Sequence, residues 1–178
     1  MSANLIIPSK IGEYSVKQIG KNAFCRRGII NLIIPPTVEV IDNFAFYDNE
    51  IKELQMPESI RVIKRYSFSR NRLETIKLPS STNVIGIGAF ADNKITKLNL
   101  ATNVEDIGIS AFANNPVEKI IFKEGIKAIG EYAFAGNRLP AIFNLPESIT
   151  YIGKNAFLND RIDVFTNTNN IINEGRYL

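Results

Sequence analysis

The stretch LETIKLPSSTNVIGIGAF, residues 73–90, decides the reading of this chain, because its pattern returns along almost the whole sequence. It ends on Phe90, and phenylalanine recurs at Phe24, Phe46, Phe68, Phe112, Phe134 and Phe157. Five of the six gaps in that column are 22 residues and the last is 23. Seven of the eleven phenylalanines stand in it, which is too regular to be chance. A period of roughly 20–30 residues marks a solenoid, in which each coil packs only on its neighbours.

Each Phe serves as an origin for the other columns. Five residues on stand Ile29, Ile51, Leu73, Ile95, Val117, Leu139 and Ile162; eight on stand Leu32, Leu54, Ile76, Leu98, Ile120, Ile142 and Phe165. Ten on stand Ile34, Met56, Leu78, Leu100 and Phe122. Apolar residues two apart predict a strand with one face inward, and Pro35, Pro57 and Pro79 end it because proline cannot donate to a ladder. A second apolar set pairs Val38 with Ile41, Ile60 with Ile63, Val104 with Ile107, Ile126 with Ile129 and Ile149 with Ile152. Its spacing of three, followed by a small residue and Phe, predicts a short helical or 3₁₀ turn on the far side.

Three residues after Phe stand Asn49, Asn71, Asn93, Asn115 and Asn137, with Asp160 in the seventh repeat and Arg27 in the first. Asparagine tolerates left-handed backbone and bonds nearby peptide groups, so a stacked column is expected to satisfy turns from coil to coil. Gly20, Gly86, Gly108, Gly130 and Gly153 mark another turn; Asp42 and Lys64 share their column, so that turn is not expected to demand glycine. Repeat six is one residue longer, and a β-bulge at Phe143 or Asn144 is the expected way to absorb it.

A chain of 178 residues with 45% hydrophobic content buries a core and is not disordered. One domain, 1–178, is expected: regular repeats over 19–165, an incomplete coil at 1–18 and a polar tail at 166–178, cut from a larger protein. The net charge of +3 is spread rather than striped, so no nucleic-acid partner is expected. The chain has no His, which removes histidine triads, Cys–His pairs and imidazole-held metals. Its one cysteine, Cys25, can form no intrachain disulfide and lacks a base. No catalytic residue, metal or cofactor is therefore expected. No apolar run reaches the roughly 18–20 residues of a membrane span. Residues 1–8 lack the basic and apolar regions of a signal peptide, so neither that nor membrane insertion is expected.

The pattern Ile-Gly-x-x-Ala-Phe-x-x-Asn-x-Leu-x-x-Ile-x-Leu-Pro-x-Ser-Ile resembles the BspA-like leucine-rich repeat family, best over residues 73–90 and 139–157 and in outline over 19–165. The family often carries Cys where this chain has Asn. The resemblance implies an α/β-type leucine-rich repeat solenoid. About seven right-handed coils are expected, with a parallel sheet on one wall and helical, 3₁₀ or irregular turns on the other. It also implies a cell-surface or secreted protein that adheres to other proteins or cells.

Outward positions on the strand wall lie seven and nine residues after Phe. They read Asn31, Glu53, Thr75, Lys97, Lys119, Ala141, Val164 and Ile33, Gln55, Lys77, Asn99, Ile121, with Phe143 near the irregularity. Lys77, Lys97, Asn99 and Lys119 beside Ile121 and Phe143 make the candidate partner-binding face, since exposed apolar groups among charges characterise protein contacts. The plainer reading is a solvated sheet whose lysines discourage pairing with other strands. Arg61, Lys64, Arg65, Arg70 and Arg72 form a second candidate for an acidic partner or a glycosaminoglycan, and more simply a solvated face. Neighbouring acids such as Glu105 and Asp106 offer no defined carboxylate geometry for glycoside chemistry. The expected function is non-enzymatic binding, to a protein of unknown identity. The alternative is a structural spacer that presents a neighbouring module.

Overall fold

The computed structural model describes residues 3–100, 103–140, 142–158, 160, 164–166 and 172–173. The chain begins with β1 (Ala3–Ile6), a small hairpin of β2 (Lys10–Ile11) and β3 (Tyr14–Ser15), and β4 (Gln18–Ile19). Long and short strands then alternate: β5 (Ile29–Ile33), β6 (Val40–Ile41), β7 (Glu53–Gln55), β8 (Val62–Ile63), β9 (Thr75–Lys77) and β10 (Val84–Ile85). The alternation continues with β11 (Lys97–Asn99), β12 (Asp106–Ile107), β13 (Lys119–Ile121) and β14 (Ala128–Ile129). It closes with β15 (Ile142–Asn144), β16 (Tyr151–Ile152), β17 (Val164–Thr166) and β18 (Ile172–Asn173).

The odd strands outside the hairpin stack as the first wall, in parallel ladders β1-β5-β7, β9-β11-β13 and β15-β17. Each three-residue strand of the central coils puts one residue inward between two outward ones, so Leu54, Ile76 and Leu98 are buried while their strand neighbours are exposed. The even strands form one parallel eight-stranded sheet, from β4 to β18, on the opposite wall. Between the walls the seven phenylalanines lie in one stack, with ring centroids 5.2–5.6 Å apart and planes within 2–12° of parallel. All but Phe24 are buried.

Two expectations change here. The second wall is a sheet, and among the described residues there is no helix, so the α part of the α/β expectation is replaced by a β-solenoid. The turn count changes as well: seven rings bound six intervals, and the solenoid makes about six turns rather than seven.

Backbone torsions explain the missing helices. Among the described residues, those two before and two after the stacked Phe sit in the left-handed region, for example Phe44, Tyr66 and Ser110 at φ 51–56°, and Asp48, Arg70 and Asn114 at φ 55–58°. A right-handed helix needs consecutive negative φ, so each bend breaks one before it can start. Alternate N–H groups share the work instead. Those of Gly88, Phe90 and Asp92 donate to Ile109, Ala111 and Ala113 of the next coil at 2.8–2.9 Å, while those of Ala89 and Ala91 close tight turns onto Gly86 and Gly88. The spacing of three has its own origin. Val38 closes a turn onto Pro35 and points inward, and the strand that follows brings Ile41 inward again.

The asparagine column forms the ladder its spacing predicts. Asn93 accepts the Leu73 N–H of the preceding coil at 3.1 Å and donates to the carbonyls of Phe68 and Phe90 at 2.9 and 3.1 Å; Asn71 and Asn115 repeat the set. Asp160 ends the ladder with a carboxylate. Its Oδ1 accepts the Leu139 N–H at 3.1 Å, as the asparagines do one coil earlier, but its buried Oδ2 has no partner among the described residues. Burial pushes the Asp160 carboxyl up to about 6, partly offset by that N–H.

Close approach, not torsion, explains the glycine column from coil four onward. A Cβ on Gly86, Gly108, Gly130 or Gly153 would lie 2.5–2.8 Å from backbone of the preceding coil. In the earlier coils side chains are accommodated, and Asp42 and Lys64 pair with each other at 3.2 Å.

The extra residue of repeat six lies ahead of its strand, not within it. β15 pairs with β17 in unbroken register, Ile142 with Val164, Phe143 with Phe165 and Asn144 with Thr166. Phe143 therefore holds the middle of its strand, as Leu98 and Ile120 do in theirs, instead of the outer column assigned from residue counting.

Two outcomes follow from this packing. Phe90→Ala or Phe112→Ala costs about 3–5 kcal/mol as a buried large-to-small change, and Phe24→Ala costs less because its ring is half-buried and has one stacking neighbour. Denaturant melts check this, and equal losses at all three positions contradict it. For Asp160, a folded-state pKa above the usual value means that protonation favours the fold. The contribution is fully present below about pH 4 and is lost as pH rises through about 6. Asp160→Asn restores the donor, raises stability at pH 7 by about 1 kcal/mol and flattens that pH dependence; parallel melts at pH 4 and pH 7 for both proteins would contradict the assignment.

Candidate functional site: the outer face of the first wall

Strand alternation puts two outward columns on the first wall, and the β9-β11-β13 ladder fixes them in register. Thr75, Lys97 and Lys119 face one another in one column; Lys77, Asn99 and Ile121 form the other. All of these side chains are exposed, and Ile121 keeps 43% of its surface open to solvent. Between the columns lies a shallow depression of about 260 Å³, crossed by the strands at inward-facing Ile76 and Leu98 and edged by Lys97, Lys119 and Ile121. Five of the six residues expected from sequence thus stand together on one surface. The sixth, Phe143, is in the next ladder at a middle position, and its side chain lies outside the described part of the structure.

The charges of this face differ from those elsewhere. Five ion pairs are formed among the described residues: Lys17–Glu39, Arg26–Asp48, Lys64–Asp42, Arg72–Glu50 and Lys127–Glu105. Every one joins positions 22 apart, one coil to the next. Hydrogen bonding from Lys17 holds Glu39 below its ordinary range, and Glu105 raises Lys127 in the same way. Asp42 is lowered first by the Asn43 N–H, then by Lys64 and Gln18. None of these pairs engages Lys77, Lys97 or Lys119.

The arginine-rich cluster resolves differently. Lys64 and Arg72 are neutralised by acids, Arg65 lies 5.2 Å over the Tyr66 ring, and Arg70 and Arg26 lie 5.8 and 5.9 Å from the Tyr47 ring. These cations are engaged in columns along the bend and do not form a free basic patch. Among the described residues no group of three or more His, Cys, Asp or Glu could hold a metal, and no helix is long and apolar enough to cross a membrane.

Two features escaped sequence reasoning. Ile6 pairs in register with Ile33 at the N-terminal end of the same wall, where they are 68% and 57% exposed beside hydrogen-bonded Asn4 and Asn31. The strand ending at Ile7-Pro8 carried that signal: one step back from buried Ile7 is an outward position. Phe44 and Tyr66, stacked 5.4 Å apart, occupy left-handed positions that Asn22 and Gly88 fill in neighbouring coils. No residue pattern announces an aromatic there.

A family described as BspA type leucine rich repeat region, in six copies, matches residues 4–117 and 62–178. No match was found among the curated proteins. Among solved structures, the chain is similar to a leucine-rich repeat protein of Bacteroides ovatus at 21% identity and a TM-score of 0.58, over 96% of this chain and 59% of that one. A leucine rich repeat protein of T. pallidum aligns at 23% identity and a TM-score of 0.74, over 86% and 74%. A leucine rich cell surface protein of Faecalibacterium prausnitzii aligns at 20% identity and a TM-score of 0.57, over 94% and 51%. At such identities the likeness is one of fold, and the chain spans only about half to three-fifths of the Bacteroides and Faecalibacterium structures. No catalytic family is indicated, and leucine-rich repeat proteins typically serve as protein-interaction modules. With the family pattern covering nearly all of its length, the chain belongs to the BspA-type leucine-rich repeat family.

Proposed function

We propose that this chain is a non-enzymatic binding module that recognises a protein through the outer face of its first wall. The observation that carries the reading is the β9-β11-β13 surface, where three exposed lysines without ion pairs share one face with exposed Ile121 and a shallow depression. A rigid ladder holds these groups at fixed spacing, so little ordering entropy is lost on binding. Exposed apolar area within a charged rim is the composition of a contact surface. We further infer that the module works at the cell surface or after secretion, the setting implied by the family resemblance and named for the Faecalibacterium structure.

The test compares two folded double variants in pull-downs from the native source. Lys97→Glu with Lys119→Glu is expected to abolish capture, chiefly by slowing association and with strong dependence on salt, since exposed charges steer encounter. Arg65→Glu with Arg70→Glu is expected to leave capture nearly unchanged, because those cations sit on aromatic rings along the bend. Circular dichroism confirms that both remain folded. Loss of capture only in the arginine pair moves the binding face to the bend, and capture insensitive to both pairs supports the spacer reading.

A further inference from the structure

Two outward columns of the solenoid alternate in sign from coil to coil: Lys17, Glu39, Arg61 and, past Asn83, Glu105, Lys127; and Arg26, Asp48, Arg70, Asp92. Their ion pairs are the product of that alternation. The first wall does the opposite. Lys97 and Lys119 are direct partners across β11 and β13, one strand spacing of about 4.8 Å apart, and Lys77 stands on the diagonal from Lys97. Like charges directly opposite in a ladder destabilise it. The acid in the same outward column, Glu53, is separated from Lys97 by the whole of the Thr75 strand. Glu118, next to Lys119 in the chain, forms no ion pair with it. The wall thus concentrates uncompensated positive charge beside a shallow depression edged by exposed Ile121.

Resting on the binding reading above, we propose that the occupant of this face is an acidic protein segment in which carboxylates flank one apolar side chain. Two carboxylates meet Lys97 and Lys119, with Lys77 available to a third on the diagonal. The apolar side chain enters the depression and packs against exposed Ile121. The charges answer the like-sign column that the fold itself does not neutralise. The apolar seat selects a protein segment over a sulfated polysaccharide, which would pair with the lysines and leave Ile121 and the depression uncovered.

Selection of linear peptides from a random display library on the wild-type chain, followed by Kd measurement of the recovered peptides by fluorescence anisotropy at low and high salt, tests this. Recovered sequences are expected to be rich in Asp and Glu around an apolar residue. Their Kd is expected to weaken at least about tenfold with Lys97→Glu and Lys119→Glu, and about threefold to tenfold with Ile121→Ser. Arg65→Glu with Arg70→Glu serves as the control that changes nothing. Acidic peptides that ignore Ile121→Ser and are displaced by a sulfated polysaccharide overturn the inference in favour of a general polyanion site. Neutral or basic peptides whose binding still requires the wall overturn the acidic partner but leave the binding face standing. Peptides insensitive to every wall variant overturn both.

Discussion

Everything in this structure depends on equivalent backbone groups of successive coils meeting at hydrogen-bond distance. At the bend the N–H groups two before, at and two after each of the first six Phe of the column reach the next coil at 2.7–3.2 Å, and both walls add parallel ladders. Once that distance is imposed, every column of side chains inherits it. The phenylalanine rings must stack near 5.4 Å, a residue two before Phe must adopt left-handed torsion, and a glycine is required wherever two coils touch through Cα. The asparagines follow from the same constraint, because a coil-to-coil spacing too short for water leaves turn carbonyls that only a side-chain amide can reach.

The constraint also tolerates local cost. Phe44 and Tyr66 sit at φ 56° and 51°, where a side chain with Cβ loses about 1–2 kcal/mol. Their rings recover part of this by stacking on each other, and Tyr66 leans into the space that Gly88 leaves empty. Asp42 and Lys64 stand in the glycine column of the earlier coils and pair with each other at 3.2 Å. Asp160 shows the limit of such substitution: it keeps the acceptor half of the asparagine's role and loses the donor half.

The core was legible in the sequence because burial repeats with the coil. Leu54, Ile76, Leu98 and the Phe column are all where counting puts them. The second wall was misread because a spacing of three fits a helical turn and also fits a tight turn followed by a two-residue strand. Only the left-handed torsions around Phe separate the two, and residues such as Phe44, Tyr66 and Arg70 do not announce them. Phe143 was misplaced for a related reason: residue counting reveals that repeat six is longer but not where in the coil the extra residue falls. Exposure of Lys77, Lys97, Asn99, Lys119 and Ile121 was readable from alternation alone. The depression between them was not, since it depends on how the side chains of neighbouring strands lie across the wall.

That insertion also bounds the candidate face. Within β9, β11 and β13 the same coil length places Lys97 beside Lys119 and Asn99 beside Ile121. Beyond β13 the strand begins one residue later in the coil, so the outward columns can no longer be continued by adding 22. On the other side the hydrogen-bonded ladder breaks between β7 and β9, so a ligand seated on this ladder has three strands to work with, about 10 Å from first to last at the usual strand separation. That span suits a short peptide segment better than an extended surface, and it concentrates recognition on the few groups that the ladder already holds in line.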